Sequence, residues 1–337
     1  MRRHYRGVLP ERITEAPVAD RITVLAGGVG AARFLRGLAA VDEVDPAAVT
    51  AVVNVGDDID RHGLHVCPDL DSITYWLAGV IHPEQQWGRA DEAFTVAAEL
   101  ERFGEGRWFS LGDRDLATHI YRTKRLHEGG PLSVVTAEVV RAFEVPFRLL
   151  PATDDPVSTR VHTTDGRDLH FQEYWVAERA APEVAHVELG GAGRARPAPG
   201  VVEAVLDADV VLVAPSNPVV SIDTILAVPG IRDAVLETPA PVVGVSPIIG
   251  GTVVRGMAHR LLPSVGAEVS ALGVARHYGP ELLDGWVVDE VDADAVERLP
   301  GGIRGVAVQT LMDDVDVAAA LARTCLGLAD DLTGARS

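Results

Sequence analysis

Short, wholly apolar runs alternate with amphipathic stretches along the chain. Residues 22–26, ITVLA, form a continuous apolar run of strand length, GGVG follows, and AARFLRGLAA then repeats apolar residues at helical spacing. The pattern predicts a buried strand over 22–26, a tight glycine turn over 27–30 and a helix over 31–40. A second strand is expected over 50–55, which makes the segment a strand–turn–helix–strand unit of a parallel sheet. Beyond it, Asp71 is placed to cap a helix running through Ile73, Trp76 and Leu77.

From about 84 to 180 the pattern is mixed. DEAFTVAAELERFG and LGDRDLATHIYRTKRLHEG read as helices, and RVHTTDGRDLHFQEYWV reads as a hairpin with arms at 161–163 and 169–175 around an Asp-Gly turn. This stretch is expected to be an inserted, mainly helical region. Apolar runs at 210–214, in PVVGVS, at 287–289 and at 306–311 then predict further strands, with helices between them and a terminal helix over 315–327. The expected fold is one doubly wound, Rossmann-like α/β domain over 21–337 with a mostly parallel sheet and a small hairpin. Residues 1–20 are expected to form a flexible arm.

Composition narrows the function classes. At 47% hydrophobic and 23% charged, the 337-residue chain is globular in type, and no apolar run reaches the roughly 18 residues of a membrane span. The first residues lack the apolar core of a signal peptide, and Cys67 and Cys325 lack metal or redox spacing, so a reducing cytoplasm is expected. A net charge of -19 argues against nucleic acid and anionic membranes as partners. An anionic substrate would then need local compensation from arginines, backbone N–H groups or a metal ion.

Four loops that follow predicted strands carry the unusual residues: AGGVGAAR, NVGDD, APSNP and SPIIGG. In open α/β sheets, ligands bind at the carboxyl ends of strands, near the point where strand order reverses. Gly27, Gly28 and Gly30 can bring N–H groups to an anion at a helix N-terminus. The loop lacks the Lys-Ser/Thr ending of a P-loop, and Arg33 stands where a dinucleotide fingerprint has its third glycine. The stretch VNVGDDIDRHGLHVCPDLD, residues 53–71, holds Asp57, Asp58, Asp60, Asp69 and Asp71. Magnesium prefers oxygen ligands, and closing this loop brings carboxylates from its two ends together. His62 and His65 lack zinc spacing, and His119 and His277 read as surface residues.

Together with WFSLGDRDLATH, APSNPVVSIDTILAVPGIRDAV and VSPIIGGTVVRGMA, these motifs resemble, in order, the 2-phospho-L-lactate transferase family of coenzyme F420 biosynthesis. The likeness is greatest to its actinobacterial branch of phosphoenolpyruvate transferases. The resemblance implies attack by the terminal ribityl hydroxyl of the deazaflavin Fo on a guanosine diphosphate-linked three-carbon acid. GMP leaves, Mg²⁺ is the cofactor, and the protein is a homodimer. It places Mg²⁺ on Asp57 and Asp71, with Asp58 or Asp57 activating the hydroxyl. Gly27, Gly28, Gly30 and Arg33 fall on phosphate, and Ser216 and Asn217 on the nucleotide. Asn54 and His62 join the substrate contacts, Ser246, Gly250, Gly251 and Arg255 close the pocket, and Trp76, Trp108 or Trp175 line a ring slot. One rival is the gluconeogenesis-factor-like branch, which binds nucleotide-sugars; its Gly-Gly-Ser-Ser-Gly run after the Asp-Asp pair is missing here. A second, an NAD-dependent oxidoreductase, is weakened by Arg33.

Overall fold

The computed structural model describes residues 19–254 and 256–336. The first unit forms as the pattern predicts: β1 (Ile22–Ala26), α1 (Gly28–Leu38) and β2 (Val49–Val53). The helix starts inside the glycine turn, at Gly28. Past β2, the acidic stretch is more ordered than a loop, since β3 (Ile59–Arg61) and β4 (Leu64–Val66) pair as an antiparallel hairpin. His62 at φ 52° and Gly63 at φ 73° supply its turn. Helix α2 (Pro68–Leu77) has Cys67 as its N-cap and proline at its first position, so Asp71 lies inside the helix and does not cap it.

Three helices follow, α3 (Thr95–Arg102), α4 (Asp113–His127) and α5 (Leu132–Ala142). The expected insertion is interrupted there, because β5 (Arg148–Pro151) pairs with β2 and belongs to the main sheet. The hairpin at 158–170 forms from β6 (Ser158–Thr163) and β7 (Asp168–His170), and β8 (Val184–Gly190) extends it to three strands. Its second arm stops at His170, and Glu173–Ala177 coils into a π-helical turn. The rest alternates: α6 (Val201–Leu206), β9 (Val210–Val213), α7 (Asp223–Leu226), α8 (Ile231–Glu237) and β10 (Val242–Val245). Where one strand is expected to run through to the glycine pair with a helix from Val253, β11 (Ile248–Ile249) and β12 (Thr252–Val253) make a hairpin whose turn is Gly250-Gly251, both at positive φ. Then come α9 (Ala258–Leu261), α10 (Ala271–Tyr278), β13 (Gly285–Val288), β14 (Arg304–Ala307) and α11 (Val315–Arg336).

The main sheet has the order β14-β13-β10-β9-β1-β2-β5, and every pairing in it is parallel. Such a sheet is covered on both faces, which explains the wholly apolar strand sequences: β1, β9, β10 and β13 are buried at every residue. From β1 the chain builds outward to β2 and β5 on one side, then to β9, β10, β13 and β14 on the other. Strand order therefore reverses between β1 and β9. Among the described residues, no helix is long and apolar enough to cross a membrane.

Candidate active site

A cavity of about 640 Å³ opens at the carboxyl edge of the sheet, around that reversal. The turn after β1 meets the loop after β9 at its floor. A Cβ on Gly30 would lie 2.3 Å from the Pro215 carbonyl oxygen, and one on Gly27 would lie 2.6 Å from Ser221 Cβ, so both positions need glycine for close approach. Gly27 N–H donates to Ser216 Oγ at 3.0 Å, and Gly28 N–H donates to the Asp69 carboxylate. The anion position at the start of α1 is thus occupied by the protein's own Asp69.

Asn54, fully buried at the exit of β2, organises the acidic centre. Its Nδ2 donates to Asp57 Oδ1 at 3.1 Å and to Asp69 Oδ2 at 2.9 Å, while its Oδ1 accepts from Gly56 N–H at 2.9 Å. Two buried carboxyls are held side by side on one amide. Burial, then the charges of Asp69 and Asp58, push the Asp57 carboxyl well above its ordinary range, against the Asn54 hydrogen bond. Asp69 rises to about 6, from burial and the Asp58 charge, against its bonds from Asn54 and Gly28. Paired acceptor-only oxygens facing a cavity fit a hard divalent cation, which supplies the opposite charge that the fold does not.

A pH dependence follows. Because the folded pKa of Asp69 is raised from 3.8 to about 6, the protonated carboxyl contributes stability that is full below about pH 4. That contribution is lost as pH rises through about 6, where a cation can replace the proton. Thermal unfolding is therefore expected to show Mg²⁺ stabilisation at about pH 7.5 that disappears at about pH 5. Equal Mg²⁺ shifts at both values would contradict the assignment of Asp57 and Asp69.

Asp71 and Asp58 point elsewhere. Asp71 borders the cavity, but its carboxylate accepts both a 3.0 Å bond from Arg122 Nη1 and a second bond from Arg122 Nη2. Around this pair, His119 lies 3.6 Å from Asp71 and 3.3 Å from Asp115, and the Tyr75 hydroxyl donates to Asp115 Oδ1 at 2.6 Å. His119 and Arg122 are only 1% and 2% exposed, which corrects the surface reading of His119. Asp115, His119 and Arg122 recur at i, i+4 and i+7 on one face of α4, a spacing that was visible in the sequence. Asp58 turns away from the cavity toward His65, 3.4 Å distant, while Asp57 turns into it. Of the two candidates for activating a hydroxyl, Asp57 is the one that lines the cavity.

The remaining expected residues divide in the same way. Gly27, Gly28, Gly30, Arg33, Ser216, Asn217 and Ser246 line the cavity. Arg33 Nη1 donates to the Met312 carbonyl at 3.2 Å and its guanidinium stacks over Trp76, so it braces the 310–312 wall. Asn217 Oδ1 accepts from Val219 N–H at 3.0 Å, which leaves contact with a ligand to its amide nitrogen. Gly250 and Gly251 are absent from the wall; Gly250 N–H donates to Asp292, and the pair serves the β11–β12 turn. His62 sits beside Glu105 in a separate small pocket, and His277 pairs with Asp223. Arg255 lies outside the described residues. Trp87, Trp108, Phe109, Phe171 and Trp175 line the same cavity as the carboxylates. Trp76 is buried beneath arginines 33 and 36 and takes no part in it.

A doubly wound α/β protein with its ligand crevice at the strand-order reversal, lined by both buried carboxylates and aromatic rings, is the class that this geometry defines. The family model described as 2-phospho-L-lactate transferase CofD matches residues 22–313, and the chain belongs to that family. It is an enzyme family that transfers a phosphoryl-containing group. Among its relatives, the phosphoenolpyruvate transferase of Streptomyces griseus is 56% identical over 93% of this chain and 99% of that protein. The phosphoenolpyruvate transferase of Streptomyces coelicolor is 54% identical over 93% and 99%, and that of Mycolicibacterium smegmatis 45% over 92% and 98%. The fold also matches a UPF0052 family protein from Bacillus halodurans, with a TM-score of 0.61 and 18% identity over 91% of this chain and 98% of that one.

Proposed function

We propose that the chain transfers a phosphoenolpyruvyl group from a guanosine diphosphate-linked donor to the terminal ribityl hydroxyl of the deazaflavin Fo, with Mg²⁺ as cofactor. The product is dehydro coenzyme F420-0 and GMP is released. One observation carries the reading: the Asn54-tethered pair Asp57 and Asp69 shares a single cavity with a set of aromatic rings. A cation-bound diphosphate and a planar ring system need these two kinds of lining. The 45–56% identity to phosphoenolpyruvate transferases supports this donor over the nucleotide-sugar-binding alternative. The same reading carries a homodimer and a cytoplasmic location.

Phosphoryl transfer is mainly positioning and charge stabilisation, and no covalent nucleophile is required. Asp57 and Asp69 would hold the cation, which when bound neutralises diphosphate charge. Asn54 fixes the orientation of both carboxylates. Asp57 accepts the hydroxyl proton as the ribityl oxygen bonds to phosphorus, and the bond to GMP breaks with its electron pair leaving on GMP. Asn217 and Ser216 meet the nucleotide portion, and Trp108 and Trp175 flank the deazaflavin ring.

Binding tests the ring assignment without turnover. Fo fluorescence is expected to be quenched saturably by the protein. Trp175→Ala should weaken Fo binding roughly five- to tenfold, the loss of one aromatic stacking contact, with unchanged unfolding temperature. Equal affinity in the variant would remove Trp175 from the ring slot.

A further inference from the structure

We propose that Asp58, His65 and Cys67 form a second cation site, of the zinc class, on the side of the acidic loop away from the cavity. One ligand atom from each lies within 4.8 Å of the others. A closed tetrahedral site has edges of roughly 3.6 Å, so a small inward movement of the His65 ring, 30% exposed at the hairpin, completes it.

The hairpin builds this group by register. The β3–β4 pairing sets Asp60 opposite His65, and Ile59 opposite Val66. His65 and Cys67, two residues apart, fall on one side of the extended chain. Asp58 directly precedes β3, and its carboxyl contacts both the His65 ring and the Cys67 thiol. A separate observation points to a ligand: Asp58 Oδ1 has no hydrogen-bond partner although the side chain is only 8% exposed. Further, His65 Nδ1 lies 3.0 Å from Asp60 Oδ1. Donation to Asp60 leaves the lone pair of Nε2 facing Asp58, the carboxylate–histidine–metal arrangement that orients imidazole ligands. His170 Nε2, 3.1 Å from the Asp58 carbonyl oxygen, braces the backbone. The nearby Arg122 is already neutralised by Asp71.

The donor chemistry separates the two sites. Thiolate and imidazole select zinc-like cations, whereas the carboxylate pair Asp57–Asp69 suits magnesium. On binding, the Cys67 thiol gives its proton to solvent, a sulfur–metal bond forms, and a thiolate, a carboxylate and a neutral imidazole balance the dication. Three protein ligands leave a fourth position for water. The bound cation ties the β3–β4 hairpin to the start of α2, the helix that carries Asp69. This inference stands independently of the reaction proposed above.

Cobalt(II) provides the test. Added to the full chain in excess Mg²⁺, one equivalent of Co²⁺ is expected to give a thiolate-to-cobalt charge-transfer band and tetrahedral visible absorption, both abolished by Zn²⁺. Cys67→Ser should remove the charge-transfer band. In case that buried substitution disturbs folding, His65→Gln at a more exposed position should weaken Co²⁺ binding at least roughly tenfold. Cys325→Ser and Asp57→Asn should leave the band intact. No charge-transfer band, a band indifferent to His65→Gln, or one lost with Cys325→Ser would overturn the proposal.

Discussion

Asp57→Asn and Asp69→Asn are each expected to lower the rate of group transfer roughly 10²- to 10³-fold while the protein stays folded. Each substitution keeps the shape of the side chain and removes one of two negative charges that share the Asn54 amide. Loss of either carboxylate halves the charge that would hold the cation, and for Asp57 it also removes the proton acceptor. Folding should not suffer, because both carboxyls are raised above their ordinary range and their charged forms are held against burial. Activity assayed over a range of Mg²⁺ concentrations, with unfolding midpoints measured alongside, checks the expectation. Asp42→Asn, at an exposed position, is the control and should match the parent. If Asp69→Asn retains full activity while Asp71→Asn loses it, the metal pair is Asp57 with Asp71, the alternative implied by the family resemblance.

Arg122→Leu is expected to give the largest loss of stability, about 3–5 kcal/mol in urea unfolding. Arg122 is 2% exposed and donates two bonds to Asp71, itself 5% exposed. Removing the guanidinium leaves Asp71 as a buried, uncompensated charge beside Asp115. The double variant Asp71→Leu with Arg122→Leu should recover most of the loss, because replacing a buried ion pair by apolar groups is often close to neutral. Full additivity of the two single losses would show that the residues do not act as a pair. It would also return Asp71 to the list of possible ligands.

The centre of the main sheet was legible because its strands are buried, almost wholly apolar runs bounded by glycine, proline and aspartate. The runs at 22–26, 210–213 and 242–245 could hardly be anything but buried parallel strands. Placement of the four ligand-type loops at one sheet edge followed from that order alone. What escaped the sequence reading depends on local geometry. The β3–β4 hairpin has three residues per strand, too few for an alternation to show, and its Val66 packs on Leu111 and Leu116, which lie far along the chain at the start of α4. Strand β5 was hidden because its four residues look like the end of α5 until β2 is there to pair with them. The choice between Asp69 and Asp71 turned on Pro68, which starts α2 one residue before Asp69. Residues two apart on a helix diverge by about 200°, so one aspartate meets the start of α1 and the other meets α4. The buried trio on α4 lay in plain spacing, but nothing in the sequence marks which face of that helix meets the cavity.

The central claim is the transfer of a phosphate-linked three-carbon acid to a deazaflavin hydroxyl. Mass spectrometry of the product from Fo, Mg²⁺ and each guanylylated three-carbon acid tests it most directly. The expected result is Mg²⁺-dependent formation of dehydro coenzyme F420-0 with equimolar GMP, fastest with the phosphoenolpyruvyl donor and abolished by chelation. Unaltered Fo with every donor, at Mg²⁺ concentrations that stabilise the folded protein, would contradict the account.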